Sequence, residues 1–187
     1  MPYVDLSRYK GTHAPLSPSS PSWINYDQEK LKTYIRNLYA KERGTRLHAL
    51  AEEMIRMQIK PQKSKKTFHQ YVIDAINYGM SPEEMVFYSP NIYGTSDAIL
   101  FENGRLRIHD LKTGTVTTPK IEQLKIYAAL YCLEHDIDPK DIDTELRIYW
   151  NDDIIAENFD ASENAHYIEQ IRNADLICQG VRQEFEL

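Results

Sequence analysis

Two apolar runs, Ile92–Phe101 and Leu106–Leu111, flank Glu102-Asn103-Gly104-Arg105, and this punctuation constrains the chain more than any other stretch. Asn-Gly tolerates the positive φ that a two-residue turn demands, so the runs are expected to pair as an antiparallel hairpin. Alternate residues of a strand show opposite faces. Ile108, Asp110 and Lys112 therefore share one face, His109 and Leu111 share the other, and hairpin closure brings Asp97 near Asp110. Charged side chains inside paired strands are costly unless something compensates them. Metal binding is such a compensation, since carboxylate oxygens hold Mg²⁺. Lys112 beside them can orient a water or neutralise a phosphate, a set suited to phosphodiester hydrolysis. The same Asp-x-Lys triplet also serves as a structural ion pair, and taken alone it does not separate the two.

The rest of the chain supplies helices on both sides of that hairpin. Residues 1–26, rich in Pro, Ser and Tyr, read as an extended lead-in, and Asp27 as the cap of a first helix with Leu31, Tyr34, Ile35 and Leu38 on its apolar stripe. Gly44 is expected to end that helix and Thr45 to cap a second, which buries Leu47, Leu50, Ala51, Met54 and Ile55 and stops at Pro61. A helix at Thr67–Tyr78, a turn at Ser81–Glu84 and a strand at Met85–Tyr88 precede the hairpin. A helix opening near Pro119 and running to Glu134 follows it. Strands at Thr144–Trp150 and Ile154–Phe159, joined at Asn151-Asp152-Asp153, and a last helix at Ala161–Gln179 complete the order. Helices, a strand block, a helix, more strands and a helix imply one α/β domain over residues 1–187, with a central mixed β-sheet flanked by helices.

Composition narrows the partners. The chain has 187 residues and a net charge of −6, which by itself disfavours nucleic acid. The distribution reverses that. Lys30–Lys66 carries eleven Lys or Arg, whereas Leu130–Leu187 carries four against fifteen Asp or Glu. The basic stretch suits phosphates and the acidic third suits a protein-facing surface or a mimic of DNA charge, the alternative being solvated helix faces that are merely uneven. No run is long and apolar enough for a membrane span. Met1-Pro2-Tyr3-Val4-Asp5 lacks the basic and apolar regions of a signal peptide. Cys132 and Cys178 have no metal-ligand spacing, so free thiols in a reducing cytoplasm are expected.

Two further pairs stand at helical spacing. His48 and Glu52 are four residues apart, so both side chains can reach one site, and Gln123 and Tyr127 repeat the spacing after the hairpin. Arg46 and the loop lysines Lys60, Lys63, Lys65 and Lys66 are the candidate DNA contacts.

In sequence order these are G-x-x-x-H at Gly44–His48, G-x-x-D at Gly94–Asp97, D-x-K-T-G at Asp110–Gly114 and Q-x-x-x-Y at Gln123–Tyr127. This order resembles the PD-(D/E)XK nuclease superfamily, and most of all its RecB-like exonuclease branch. Leu16-Ser17-Pro18-Ser19 is similar to the L-S-x-S start of many such domains, so the resemblance spans Leu16 to Trp150. It implies a restriction-endonuclease-like core. It also implies a Mg²⁺ or Mn²⁺ ion held by His48, Asp97, Asp110 and the Leu111 carbonyl, with Glu52 as an additional acid. Lys112 would be the catalytic lysine acting with Asp97 and Asp110, and Gln123 and Tyr127 would touch substrate or position the site. Two cysteines cannot cage the iron–sulfur cluster that some relatives carry. The implied function is a stand-alone, phage-type metal-dependent DNA exonuclease, cytoplasmic in a bacterial or phage-infected cell. The alternative is a catalytically idle nuclease fold that binds nucleic acid or a partner protein.

Overall fold

Asn103 and Gly104 do adopt positive φ, 51° and 73°, and they join β2 (Ile92–Glu102) to β3 (Arg105–Lys112) as a tight antiparallel hairpin. The computed structural model describes residues 5–12, 14–114 and 119–185. Met1–Val4, part of the stretch read above as lacking signal-peptide features, lies outside them. The described residues form two compact units, one ending at Thr45 and one from Arg46 onward.

In the first unit Asp27 caps a helix as expected, its Oδ1 accepting the Lys30 N–H at 2.8 Å. That helix, α1 (Gln28–Arg56), does not end at Gly44. The expected break is corrected by Thr45, whose hydroxyl donates to the Lys41 carbonyl four residues back at 3.2 Å, a helix-interior bond rather than a cap. Nor does Pro61 stop the helix. Gln58 takes a left-handed conformation and the Ile59 N–H bonds the Met54 carbonyl, which closes α1 before the proline is reached.

The second unit carries a five-stranded sheet in the order β1-β2-β3-β4-β5, with β1 (Ser81–Ser89), β4 (Asp143–Trp150) and β5 (Asp153–Phe159) added to the hairpin. All neighbours are antiparallel except β3 and β4, which run parallel through a crossover containing α3 (Glu122–Glu134). This mixed sheet with helices on both faces is the α/β architecture expected. Ser81–Glu84 is not a turn but the start of β1. Pro82 is tolerated there because β1 is an edge strand, where a missing N–H breaks no ladder on the open side.

The sheet's two faces have separate cores. On one, Val86, Ile99, Ile108, Leu146 and Ile148 pack against α3 and α4 (Ala161–Phe185) through Leu124, Ala128 and Ile171. On the other, Ala98, Leu111 and Tyr149 meet Ala51 and Ile55 of α1 and Tyr71, Val72 and Ala75 of α2 (Thr67–Tyr78). α3 is buried on more than one side, and its Lys125 ammonium is offset by Glu157 and Glu163, each at 2.7 Å. Asp175 ties α4 to the β1–β2 connection, accepting from Ser89 at 2.6 Å and Asn91 at 2.8 Å. α4 extends six residues past the expected Gln179. Leu146 sits mid-strand in β4 with no exposed surface. Leu146→Ala should therefore cost about 2–5 kcal/mol in urea unfolding, from lost transfer energy plus a cavity.

Candidate metal centre

The hairpin ladder stops short of its own ends. The last β2–β3 pair is Ala98 with His109, so the next two residues, Asp97 and Asp110, face each other where the strands have begun to part. Asp97 Oδ2 then accepts the Leu111 N–H at 2.8 Å, replacing a ladder bond with a charge-assisted one. The Tyr71 hydroxyl donates to the Asp97 carbonyl at 2.8 Å. His48 Nδ1 from α1 lies 3.3 Å from the same Oδ2. A carboxylate held on its side chain and main chain by three elements is a fixed feature, not a solvated one.

Sequence reasoning missed one member of this cluster. Glu83 sits opposite Asp97 on β1, between the pairs Pro82–Ala98 and Glu84–Ser96. Its φ of 50° breaks the strand's regularity. His48, Glu83 and Asp97 each offer a ligand atom, and these atoms lie within 4.8 Å of one another. Glu52, four residues after His48, instead accepts from Arg56 Nε at 2.9 Å and is outside the group. The signal for Glu83 was an acid two residues before a strand; Pro82 disguised it as part of a turn.

Asp110 and Lys112 share a face, as alternation requires. Lys112 Nζ donates to Asp110 Oδ1 at 2.9 Å and to Gln123 Oε1 at 3.0 Å. Gln123 Nε2 donates to the Tyr127 hydroxyl at 3.4 Å. Gly94 makes room for this helix face: a Cβ there would fall 2.8 Å from the Tyr127 ring. The second Asp110 oxygen, Oδ2, is buried with no hydrogen-bond partner. Thus Asp97 and His48 come together with Glu83, Asp110 comes together with Lys112, Gln123 and Tyr127, and Leu111 joins the halves through its N–H.

The electrostatics describe a site short of positive charge. Burial, then the Asp97 charge, pushes Asp110 up to about 6 against the pull of Lys112. Burial and Asp97 also raise Glu83. The hydrogen bond to Asp97 raises His48, working against its own burial. Carboxylate oxygens and one imidazole, with a buried oxygen lacking a partner, are a donor set that fits a divalent cation of the Mg²⁺ or Mn²⁺ kind.

The candidate DNA contacts lie elsewhere on the second unit. Lys63, Lys65 and Lys66 are exposed on the α1–α2 loop, while Lys60 donates to Asn77 at 2.8 Å. The loop's end is tied to the β4–β5 turn by the Thr67 N–H donating to Asp152 at 3.0 Å. That turn follows Trp150, the register partner of Lys112, so the loop ends at the same end of the sheet as the lysine. Arg46 is exposed on α1, two residues before His48.

A sequence profile of the PD-(D/E)XK nuclease superfamily matches residues 26–186. No curated protein matches the chain. A solved structure titled "Crystal structure of SSO0001" aligns at 16% identity with a TM-score of 0.41, covering 84% of this chain and 71% of that one. That likeness is too loose to bear on activity.

The raised Asp110 gives a stability test. A carboxylate whose folded pKa is raised favours the fold below its unfolded value and loses that contribution as pH climbs through the folded one. With a folded value of about 6, the metal-free protein should lose roughly 2–3 kcal/mol from this group between about pH 4 and pH 7. Asp110→Asn, measured in EDTA, should therefore be more stable than wild type at pH 7, with the gap closing by about pH 4. Mn²⁺ should raise the melting temperature of wild type more than that of the variant.

Proposed function

The chain belongs to the PD-(D/E)XK nuclease superfamily, and from that membership we propose that it is a Mg²⁺- or Mn²⁺-dependent deoxyribonuclease that degrades DNA from ends. One observation carries this reading. Lys112 Nζ is held between Asp110 Oδ1 and Gln123 while Asp110 Oδ2 stays buried and unpartnered beside Asp97. A structural ion pair has no use for the second oxygen left in that state, whereas a cation site does.

His48, Glu83, Asp97 and Asp110 Oδ2 would hold the cation, with the Leu111 carbonyl as a main-chain ligand. When bound, it would supply Lewis acidity and lower the pKa of a water at the scissile phosphate. The chain's own residues do the rest. An ammonium has three donors; Lys112 commits one to Asp110 and one to Gln123, leaving one for the attacking water or a phosphate oxygen. Gln123 fixes where that ammonium points, and Tyr127 braces Gln123. His48 is a nitrogen ligand, which favours Mn²⁺ over the oxygen-loving Mg²⁺.

Within the superfamily, the motif order supports the RecB-like branch. Buried Cys132 and exposed Cys178 sit on different helices, which supports a member without an iron–sulfur cluster. No described helix is long and apolar enough to cross a membrane, and a cytoplasmic phage-type nuclease is the setting we favour. The exposed apolar line Ile177, Val181 and Phe185 on α4 supports a protein contact through the acidic third.

Incubation with Mn²⁺ should degrade end-labelled linear DNA and spare closed circles. Cutting of the circles would replace the exonuclease reading with an endonuclease one. Asp110→Ala and Lys112→Ala should each lower the rate by at least about a hundredfold with the circular dichroism spectrum unchanged. A folded Asp110→Ala protein with wild-type rate would sink the assignment. Replacing Lys63, Lys65 and Lys66 with Ala should flatten the salt dependence of DNA binding by about 2 to 3 in log–log slope; an unchanged slope would remove the loop from the interface.

A further inference from the structure

β1 and β2 continue past the metal cluster without β3. Residues 92–97 of β2 have no β3 partner, so the two strands run on as a ribbon. One face of the ribbon is covered: Val86, Tyr88 and Ile92 pack into the α3-side core, and Gly94 lies under Tyr127. The other face is bare. Phe87 and Tyr93 are register partners, their rings stack with centroids 6.0 Å apart at 26°, and they are 42% and 58% exposed.

Resting on the nuclease reading above, we infer that this ring pair is a stacking platform for unpaired bases, so that the substrate enters as a single-stranded end. The platform is continuous with the cluster along the same two strands. Phe87 follows Glu83 by four residues and Tyr93 precedes Asp97 by four, a separation of about 13 Å, or a few nucleotides of one strand. Aromatic faces take up bases whatever their sequence, but only when a base face is not already covered by its neighbours, as in a duplex. Strand addition by a second copy is the rival use of an edge ribbon. Here the Phe87 N–H is already donated to Glu134 Oε2 at 3.1 Å, which takes one edge donor that an added strand would use.

The test is fluorescence anisotropy in EDTA, where binding is read without cleavage. It uses a labelled oligothymidylate of about 20 nucleotides and a blunt duplex of equal length. The double variant Phe87→Ala/Tyr93→Ala should bind the oligothymidylate at least about tenfold more weakly, with the duplex changed by less than about twofold. Phe87→Tyr/Tyr93→Phe should restore binding, and Phe87→Leu/Tyr93→Leu, which keeps apolar area without a π-face, should not. The salt slope should be unchanged, because stacking releases no counterions. Equal loss on both probes, full rescue by leucine, or no binding of oligothymidylate by wild type would overturn the inference. So would a dimer in sedimentation that the double alanine variant dissolves, since that would assign the patch to self-association. A wild-type protein that binds the oligothymidylate through these rings yet cuts nothing with Mg²⁺ or Mn²⁺ would support the platform while sinking the nuclease reading. One that cuts DNA while the ring variants bind normally would do the reverse.

Discussion

The structure depends on the crowding of like charge around Asp97. Its carboxylate accepts the Leu111 N–H and lies beside His48, while Glu83 and Asp110 approach it from the neighbouring strands. Two of the three acids are pushed upward by burial and by the Asp97 charge, which means that the apo fold carries a cost at neutral pH. Lys112 and His48 relieve only part of it. A site of this kind is a local conflict that the surrounding cores must outweigh, and a bound cation would remove the conflict at its source.

The cores are arranged to hold that conflict in place. A tight turn at Asn103-Gly104 sets the hairpin register, and the register sets Asp97 against Asp110 at the far end. The parallel β3–β4 pair then buries the middle of β3 on both faces, with Ile108 in one core and Leu111 in the other. Asp110 and Lys112 are therefore displayed where the buried strand meets its end, with α3 bringing Gln123 and Tyr127 over them. The glycine at position 94 is required because Tyr127 needs the space a side chain would take.

Legibility followed physical range. The hairpin, the α2 span and the order of strands were readable because turn chemistry and apolar periodicity act within a few residues. The pairing of Lys112 with Asp110 was readable because alternation along one strand decides it. Glu83 was not, because its role comes from lying across from Asp97 on a strand whose Pro82 mimics a turn. Gly44 misled for a related reason: glycine ends a helix only when the chain turns left-handed there, and here that conformation falls to Gln58. Glu52 meets Arg56 rather than the His48–Glu83–Asp97 group, because helical spacing shows which way a side chain points but not which partner it meets. The exposed Phe87–Tyr93 pair is not legible in sequence, because it depends on β2 running on past its last β3 partner.

The face of the sheet opposite Gln123 and Tyr127 is tied to the site through Tyr71. Its hydroxyl reaches the Asp97 carbonyl, and its ring meets the Tyr149 ring edge-on at 5.4 Å. Tyr149 in turn donates to Asp74 at 2.7 Å and lies 3.3 Å from His109 Nδ1. Burial lowers the His109 pKa, against the pull of Glu145. Asp74 and Tyr71 both belong to α2, one end of which is fastened to the β4–β5 turn by Thr67 and Asp152. α2 is thus pinned at a turn and along the sheet, and it passes that rigidity to the main chain of Asp97. A carboxylate that must hold its place among like charges needs its backbone fixed independently of its side chain. Tyr71 does that from the face of the sheet opposite Gln123 and Tyr127.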